Sequence, residues 1–350
     1  MNKITVGILG GTGMVGQRFV QLLENHPWFE LTEIAASEKS AGKTYEETMK
    51  GRWRISSEIP EYAKKIKVRE CKANLKCRIV FSALDSSVAG EIEKDFAKAD
   101  YVVASNSSNH RMDKDVPLLI PEINADHLEL VKTQQKTRKW KGFIVTNPNC
   151  TAIHFNLVLK PLYDAFGLEK VMIISMQALS GAGYPGVASL DILDNVIPYI
   201  GGEEEKVEAE TKKIFGSIKG GEVKKAPFLV SAQCNRVNVN DGHTECVSVK
   251  LSKKAGVNEI ISSMKKFNPL KNLKLPSSPE NVIVVMKEDN RPQPKLDRNV
   301  EKGMASVVGR IRPCNILDYK FVVLGHNTIR GAAGASILNA ELMKVKGYLE

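Results

Sequence analysis

Between Ile4 and Leu9 apolar residues alternate with small or polar ones, the period of a strand, and from Gln17 to Asn25 they recur at helical spacing through Phe19, Val20, Leu22 and Leu23. Leu31 to Ala36 is a second strand-like run. Arg78 to Leu84 and Tyr101 to Ala104 read as buried strands on either side of a helical stretch from Val88 to Ala97. Phe143-Ile144-Val145-Thr146 is strand-like again, and an apolar helical run follows from Ile153 to Tyr163. Strand and helix alternate throughout this half, which predicts a parallel, doubly wound sheet of α/β class.

Past residue 150 the pattern changes. Strand-like runs at Val171–Gln177, Pro227–Val239, Thr244–Leu251, Val282–Met286, Ala305–Ile311 and Tyr319–Leu324 dominate, with helices expected only at Glu203–Phe215 and Val257–Phe267. That composition predicts a mixed sheet backed by helices, an α+β unit. The last run, Ala332 to Lys346, is amphipathic and is expected to pack back on the first unit. The expected division is residues 1–149 joined by 332–350, and residues 150–331. A chain of 350 residues is long enough for two such cores. It has no internal repeat and no low-complexity segment.

Composition adds exclusions. With 43% apolar and 26% charged residues the chain reads as an ordinary soluble globule, and no apolar stretch approaches the roughly 20 residues of a membrane span. Met1-Asn2-Lys3 runs straight into the first strand, so no signal peptide and a cytoplasmic location are expected. The net charge of +10 comes from scattered pairs such as Lys64-Lys65 and Lys253-Lys254, not from a basic stripe interleaved with aromatics. That argues against nucleic acid and suits phosphorylated small ligands. Six cysteines (71, 77, 150, 234, 246 and 314) form no CxxC and no histidine-paired cluster, so neither zinc nor a disulfide framework is expected.

Gly11, Gly13 and Gly16 satisfy G-x-G-x-x-G between the first strand and the first helix, where glycine permits a tight turn and lets a pyrophosphate approach the helix N-terminus. The first unit therefore reads as a Rossmann-type dinucleotide-binding domain. At the end of the second strand, where an NAD site usually places an acid on the ribose, the chain reads Ala35-Ala36-Ser37-Glu38-Lys39-Ser40-Ala41-Gly42-Lys43. Small hydroxyl residues flanked by lysines favour NADP, although Glu38 keeps NAD open.

Candidate chemistry centres on Asn147-Pro148-Asn149-Cys150-Thr151-Ala152, at the seam between a strand and a helix. A thiol there faces the positive end of a helix dipole, which favours the thiolate, and the adjoining N–H groups are candidates to hold an oxyanion. Gln177-Ala178-Leu179-Ser180-Gly181-Ala182-Gly183 ends a strand in a small polar loop that suits a ligand lining or a plain turn. Arg236 and His243 flank a glycine turn, a setting for an acid/base histidine. Glu203-Glu204-Glu205-Lys206 opens a helix and by itself reads as a solvated N-terminus.

Together these segments resemble the aspartate-β-semialdehyde dehydrogenase family, in its archaeal and fungal branch, over nearly the whole chain. The resemblance rests on Gly10-x-Thr12-Gly13-Met14-Val15-Gly16, Ala36-Ser37-x-x-Ser40-Ala41-Gly42-Lys43, Ser105-Asn106-x-Ser108-x-His110-Arg111-Met112, Pro121-Glu122-Ile123-Asn124 and Pro148-Asn149-Cys150. It continues through Gln177 with Ser180-Gly181, Arg236 with Gly242-His243, Asp289-x-Arg291-Pro292-Gln293-Pro294, and His326-Asn327-Thr328-Ile329-Arg330-Gly331. The family implies that Cys150 is the nucleophile, Gln177 orients the bound intermediate and His243 is the acid/base catalyst. It implies that Arg236 pairs with the substrate α-carboxylate, Glu203 holds its amine, and Lys206 and Arg111 bind phosphate, with Asn149 beside them. Gly10, Thr12, Gly13, Met14, Val15, Ser37, Ser40, Lys43, Ser180, Gly181 and Asn327 are the implied cofactor contacts. The implied reaction is reversible, NADPH-dependent reduction of aspartyl phosphate to aspartate semialdehyde through a cysteine thioester, with release of inorganic phosphate. It belongs to the route to lysine, threonine, methionine and isoleucine. The second domain would be catalytic and would pair copies into a homodimer or homotetramer. A malonyl-CoA reductase on the same scaffold is the nearest alternative, disfavoured by Glu203 because its substrate has no amine. A non-catalytic NADP-binding regulator is another, disfavoured by the joint presence of Cys150, Gln177, Arg236 and His243.

Overall fold

A computed structural model describes residues 3–349, so Met1, Asn2 and Glu350, which the expected domain limits include, lie outside the described residues. The first sheet comprises β1 (Ile4–Leu9), β2 (Phe29–Ala36), β3 (Val68–Glu70), β4 (Ile79–Ser82), β5 (Val102–Ser105) and β6 (Phe143–Thr146). Every pairing in it is parallel, in the order β3-β2-β1-β4-β5-β6. Helices α1 (Met14–Leu22), α2 (Ser86–Lys98) and α3 (Leu130–Arg138) provide crossovers. β4, β5 and β6 are buried along their whole length, as strands covered on both faces must be, which is why they read as continuous apolar runs and not as alternation.

The seam predicted at residue 150 is the start of α4 (Cys150–Phe166), which begins three residues before its apolar pattern because Asn149 caps it. The second sheet then takes shape from β7 (Leu168–Gln177), β10 (Leu229–Arg236), β11 (His243–Leu251), β12 (Ile283–Val285), β13 (Ser306–Pro313) and β14 (Tyr319–Gly325), in the order β10-β7-β11-β14-β13-β12. It is mixed: β10–β7 and β12–β13 pair in parallel, the rest antiparallel. Val171, Ile173, Val247, Val249, Phe321 and Val323 on one face pack with Phe155, Leu159 and Leu162 of α4. The alternate residues Met172, Ile174 and Leu229 are exposed on the other face. Helices α5 (Glu203–Ile214) and α6 (Val257–Lys266) flank this domain, and a small hairpin, β8 (Ser217–Lys219) and β9 (Glu222–Lys224), stands apart. β3, β8 and β9 have three residues each, too few for a period to be read from sequence.

The last helix, α7 (Gly334–Val345), returns to the first sheet. Its Ile337, Leu338, Leu342 and Met343 share a core with Val102, Ala104, Phe143 and Val145. Asn339 Nδ2 donates to Asn147 Oδ1 at 2.6 Å, and Asn147 Nδ2 donates to Ala332 O at 2.8 Å. The chain's end thereby braces the segment that leads into Cys150. Among the described residues no helix is long and apolar enough to cross a membrane.

Candidate active site

The β1–α1 loop folds as the glycine pattern requires. Gly10 has φ +79°, and a Cβ there would lie 2.6 Å from Ala83 O; one at Gly16 would lie 2.3 Å from Gly10 O. Tyr45 Oη donates to Gly11 O at 2.9 Å and Gln17 Nε2 to Thr12 O at 3.1 Å, so the loop is held from behind. In front lies a cleft of about 700 Å³ outside the carboxyl ends of β1 and β4, where the strand order reverses. Gly10, Thr12, Gly13, Met14, Val15 and Ser37 line one wall. The cradle at an N-terminal helix turn, with no side chain in the way, fits a dinucleotide pyrophosphate.

Beyond Ser37 a second cavity of about 640 Å³ continues between Ala36, Leu84, Val88 and Ile92, bordered by Glu38, Lys39 and Lys72. Of the three residues expected to read a 2′-phosphate, only Ser37 lines either cavity. Ser40 is buried, and Lys43 is exposed where its carbonyl pairs with the Val68 N–H. The cations actually bordering the space are Lys39 and Lys72.

Cys150 is the first residue of α4 and lies at the opposite wall. The sequence suggested that the helix N-terminus would favour its thiolate and offer neighbouring N–H groups to an oxyanion. The fold sets a cap and burial against those two effects. Asn149 Oδ1 accepts the Thr151 N–H at 2.8 Å and the Ala152 N–H at 3.4 Å, so the cap draws on the same donors, while the Thr151 N–H also supports the Cys150 sulfur. Cys150 is partly accessible at the cleft wall but densely surrounded by protein on its other sides. Burial first and the Glu203 carboxylate second push its thiol up to about 12, against the pull of Arg111 and Arg236. Desolvation outweighs the dipole here.

His243 Nε2 stands 3.1 Å from Cys150 Sγ, and the Ala178 N–H donates to Nδ1 at 3.0 Å. Burial, with Arg236 and two further histidines nearby, holds the ring well below its usual titration, so it is neutral. A neutral ring whose Nδ1 accepts carries its proton on Nε2 and aims it at the sulfur.

Arg236, at the end of β10, is buried and donates through Nη1 to Ala178 O at 2.7 Å, which leaves the rest of its fork for a carboxylate. A Cβ on Gly181 would lie 2.9 Å from that Nη1 and 3.2 Å from His243 Cε1, so glycine there is a spatial requirement. Glu203 Oε1 accepts from Asn149 Nδ2 at 2.7 Å and from Gln177 Nε2 at 3.2 Å. Asn327 Nδ2 donates to Ser180 Oγ at 2.8 Å, fixing the loop over the cleft, and Lys206 and Arg111 both line it. The structure thus brings Cys150, Gln177, His243, Arg236, Glu203, Lys206, Arg111 and Asn149 into one site, though they come from five elements and a loop.

Three participants were not anticipated. A Cβ on Gly331 would sit 3.0 Å from Cys150 Cβ. Glu210 and Lys213 bind the site's framework from α5: Glu210 Oε2 accepts the Asn149 N–H at 2.6 Å and Oε1 accepts from Arg111 Nη1 at 2.9 Å. Lys213 Nζ donates to the carbonyls of Arg111, Asp113 and Val116 at 2.7–2.9 Å. The signal was present in sequence: Glu203, Lys206, Glu210 and Lys213 fall at i, i+3, i+7 and i+10, one face of a helix.

Comparison with known proteins gives a consistent picture. Residues 5–131 match the semialdehyde dehydrogenase NAD binding domain and residues 159–330 the semialdehyde dehydrogenase dimerisation domain. The chain is 55% identical over 342 residues to an aspartate-semialdehyde dehydrogenase from Archaeoglobus fulgidus, covering 97% of this chain and 98% of that one. It is 48% identical over 358 residues to one from Schizosaccharomyces pombe, covering 98% and 99%. A crystal structure of aspartate semialdehyde dehydrogenase with NADP from Candida albicans is similar with a TM-score of 0.90, at 42% identity and 99% coverage of both chains.

Proposed function

The chain belongs to the aspartate-semialdehyde dehydrogenase family, and from that membership we propose its reaction: NADPH-dependent reductive dephosphorylation of L-4-aspartyl phosphate to L-aspartate-4-semialdehyde. It is the NADP-dependent, phosphorylating dehydrogenase of the aspartate pathway, and we place it in the cytoplasm. One observation carries the reading: a cysteine sulfur 3.1 Å from a histidine Nε2, in a pocket that also holds a buried arginine and a buried glutamate.

Those two charges match an amino acid's two ends. Arg236 takes the α-carboxylate and Glu203 the ammonium, which leaves the side-chain carbonyl carbon at Sγ. In the biosynthetic direction the thiolate forms a bond to that carbon and the bond to phosphate breaks, giving a thioester. Lys206 and Arg111 hold the departing phosphate. Gly10, Thr12, Gly13 and Val15 would hold NADPH against the glycine loop, where it would supply a hydride to the thioester carbon. His243 directs its Nε2–H at the oxygen on which negative charge gathers. The C–S bond then breaks, its electron pair returns to sulfur, and the aldehyde is freed. Forming the thiolate needs an acceptor for the Cys150 proton: His243 Nε2 takes it once Nδ1 lets go of the Ala178 N–H and carries the ring proton instead, and the proton returns to sulfur when the C–S bond breaks. Gln177, joined to Glu203 and bonded to Ser175 Oγ at 3.3 Å, orients the acyl group.

The protein takes small-molecule substrates and assembles as a dimer. We assign the contact to the second sheet's outer face, where Met172, Ile174 and Leu229 expose apolar surface. A tetramer would pair two such dimers, and sedimentation analysis distinguishes the two states. Inorganic phosphate is the acyl acceptor on this reading. A CoA-linked reduction of malonyl groups fits less well, because a substrate without an amine leaves the buried Glu203 carboxylate hydrogen-bonded but without a cationic partner. The test is NADP⁺ reduction by L-aspartate-β-semialdehyde with phosphate or CoA as acceptor. Phosphate-dependent formation of NADPH is expected; transfer to CoA alone, or no reduction with either, overturns the assignment.

A further inference from the structure

We propose that Glu210 is a positioning residue for the phosphate subsite: it sets the Arg111 guanidinium at the cleft and pins the peptide ahead of Cys150. The proposal rests on the reading of Arg111 as a phosphate ligand. Glu210 itself is 1% exposed and stands behind Arg111, which lines the cleft. Its two oxygens divide between two partners, Oε1 toward Arg111 Nη1 and Oε2 toward the Asn149 N–H. One carboxylate therefore couples the cation that would hold the leaving phosphate to the residue adjoining the nucleophile.

Two observations separate this role from a simple structural ion pair. First, the loop that carries Arg111 is already held by Lys213, whose three N–H groups reach three of its carbonyls. The backbone has its anchor, so Glu210 acts on the side chain. Second, the Arg111 fork is unfinished. Nη1 donates to Glu210 and Nη2 to Asn106 O at 2.7 Å, but Nε is buried without a partner. With five N–H groups on a guanidinium, one on each Nη remains beyond these two bonds, and Nε is a further donor that no protein group satisfies. A buried cation aimed by a carboxylate, with donors left over at a cleft wall, is arranged for an oxyanion such as phosphate.

Glu210→Gln tests this in the full-length protein. The amide keeps the shape and one acceptor oxygen but cannot accept from both partners. In the oxidative direction the phosphate KM should rise by about 10- to 100-fold, the loss of one charge-assisted bond in a buried site. The KM for aspartate semialdehyde and for NADP⁺ should stay within about threefold. Calorimetric titration with inorganic phosphate alone should show the same loss, independently of turnover, so a failure of the proposed reaction and a failure of this inference give different results. Because Glu210 acts through Arg111, Glu210→Gln should add little to the phosphate defect of Arg111→Ala. The same cycle run with Glu210→Asp, which keeps the charge but reaches only one partner, should give a smaller defect. An unchanged phosphate KM, a parallel rise in all three KM values, full additivity with Arg111→Ala, or unfolding of both variants would overturn the proposal.

Discussion

The resting state of Cys150 is open to direct measurement. Its thiol is pushed up to about 12, first by burial and then by the Glu203 carboxylate. A raised thiol titration means that the neutral form prevails below it, so at pH 7 far less thiolate is present before ligands bind than the few per cent of an ordinary cysteine. Alkylation by iodoacetamide follows the thiolate, and its rate in the ligand-free protein should climb about tenfold per pH unit from pH 6 to pH 10 without levelling. Glu203→Gln removes the neighbouring anion while its amide oxygen still accepts from Asn149 and Gln177. Removing this like charge lowers the thiol's titration, and a shift of one unit would make the variant about tenfold faster to alkylate at a given pH. Cys314, lowered chiefly by the Leu317 N–H at the β13–β14 turn, offers an internal standard when modification is followed by peptide mass spectrometry. The functional consequence is that the substrate's ammonium, by pairing with Glu203, does to the thiol what the substitution does. A substrate analogue lacking the α-amine should then lose kcat as well as affinity. A plateau below pH 8 in the parent, or a Glu203→Gln variant no faster than the parent, would refute the reasoning.

Three further outcomes follow from the same geometry. Arg236→Leu should chiefly raise the semialdehyde KM, whereas His243→Ala should lower kcat by about 10²–10³, the usual loss of one oxyanion donor, with NADP⁺ affinity retained in both; steady-state kinetics that showed the reverse split would reverse the assignments. Gly331→Ala places a methyl 3.0 Å from Cys150 Cβ, and displacing the nucleophile by a few tenths of an ångström should reduce kcat by about tenfold; parent-like turnover would show that the wall yields freely. Glu122→Ala strips the partner from Arg330, which is wholly buried and bonded to Glu122 Oε2 at 2.6 Å, and should cost about 3–5 kcal/mol in urea unfolding; a change below about 1 kcal/mol would mean that water or another group takes over.

How far the sequence disclosed this protein depends on whether each feature is local or distant. β1, β6 and the glycine loop were legible because a strand period, a run of β-formers and a glycine turn each lie within a few residues. The parallel pairing of β10 with β7 was not, since it joins Leu229–Arg236 to a strand some 60 residues earlier and leaves no local pattern. The site divides in the same way. Cys150 was readable at its seam, but its proton affinity was not, because burial and Glu203 arrive from the tertiary fold. Glu203 and Lys206 looked like a solvated helix start until the family resemblance gave them roles. The same heptad-like face then continues to Glu210 and Lys213, where no motif marks it. Charged residues at helical spacing are ordinarily a solvent face, and here that expectation fails: Glu203, Glu210 and Lys213 are all buried. A helix that buries two carboxylates and an ammonium on one stripe must find partners for each. It does so in the nucleophile's loop and the arginine loop, which makes α5 the element through which the two domains share one site.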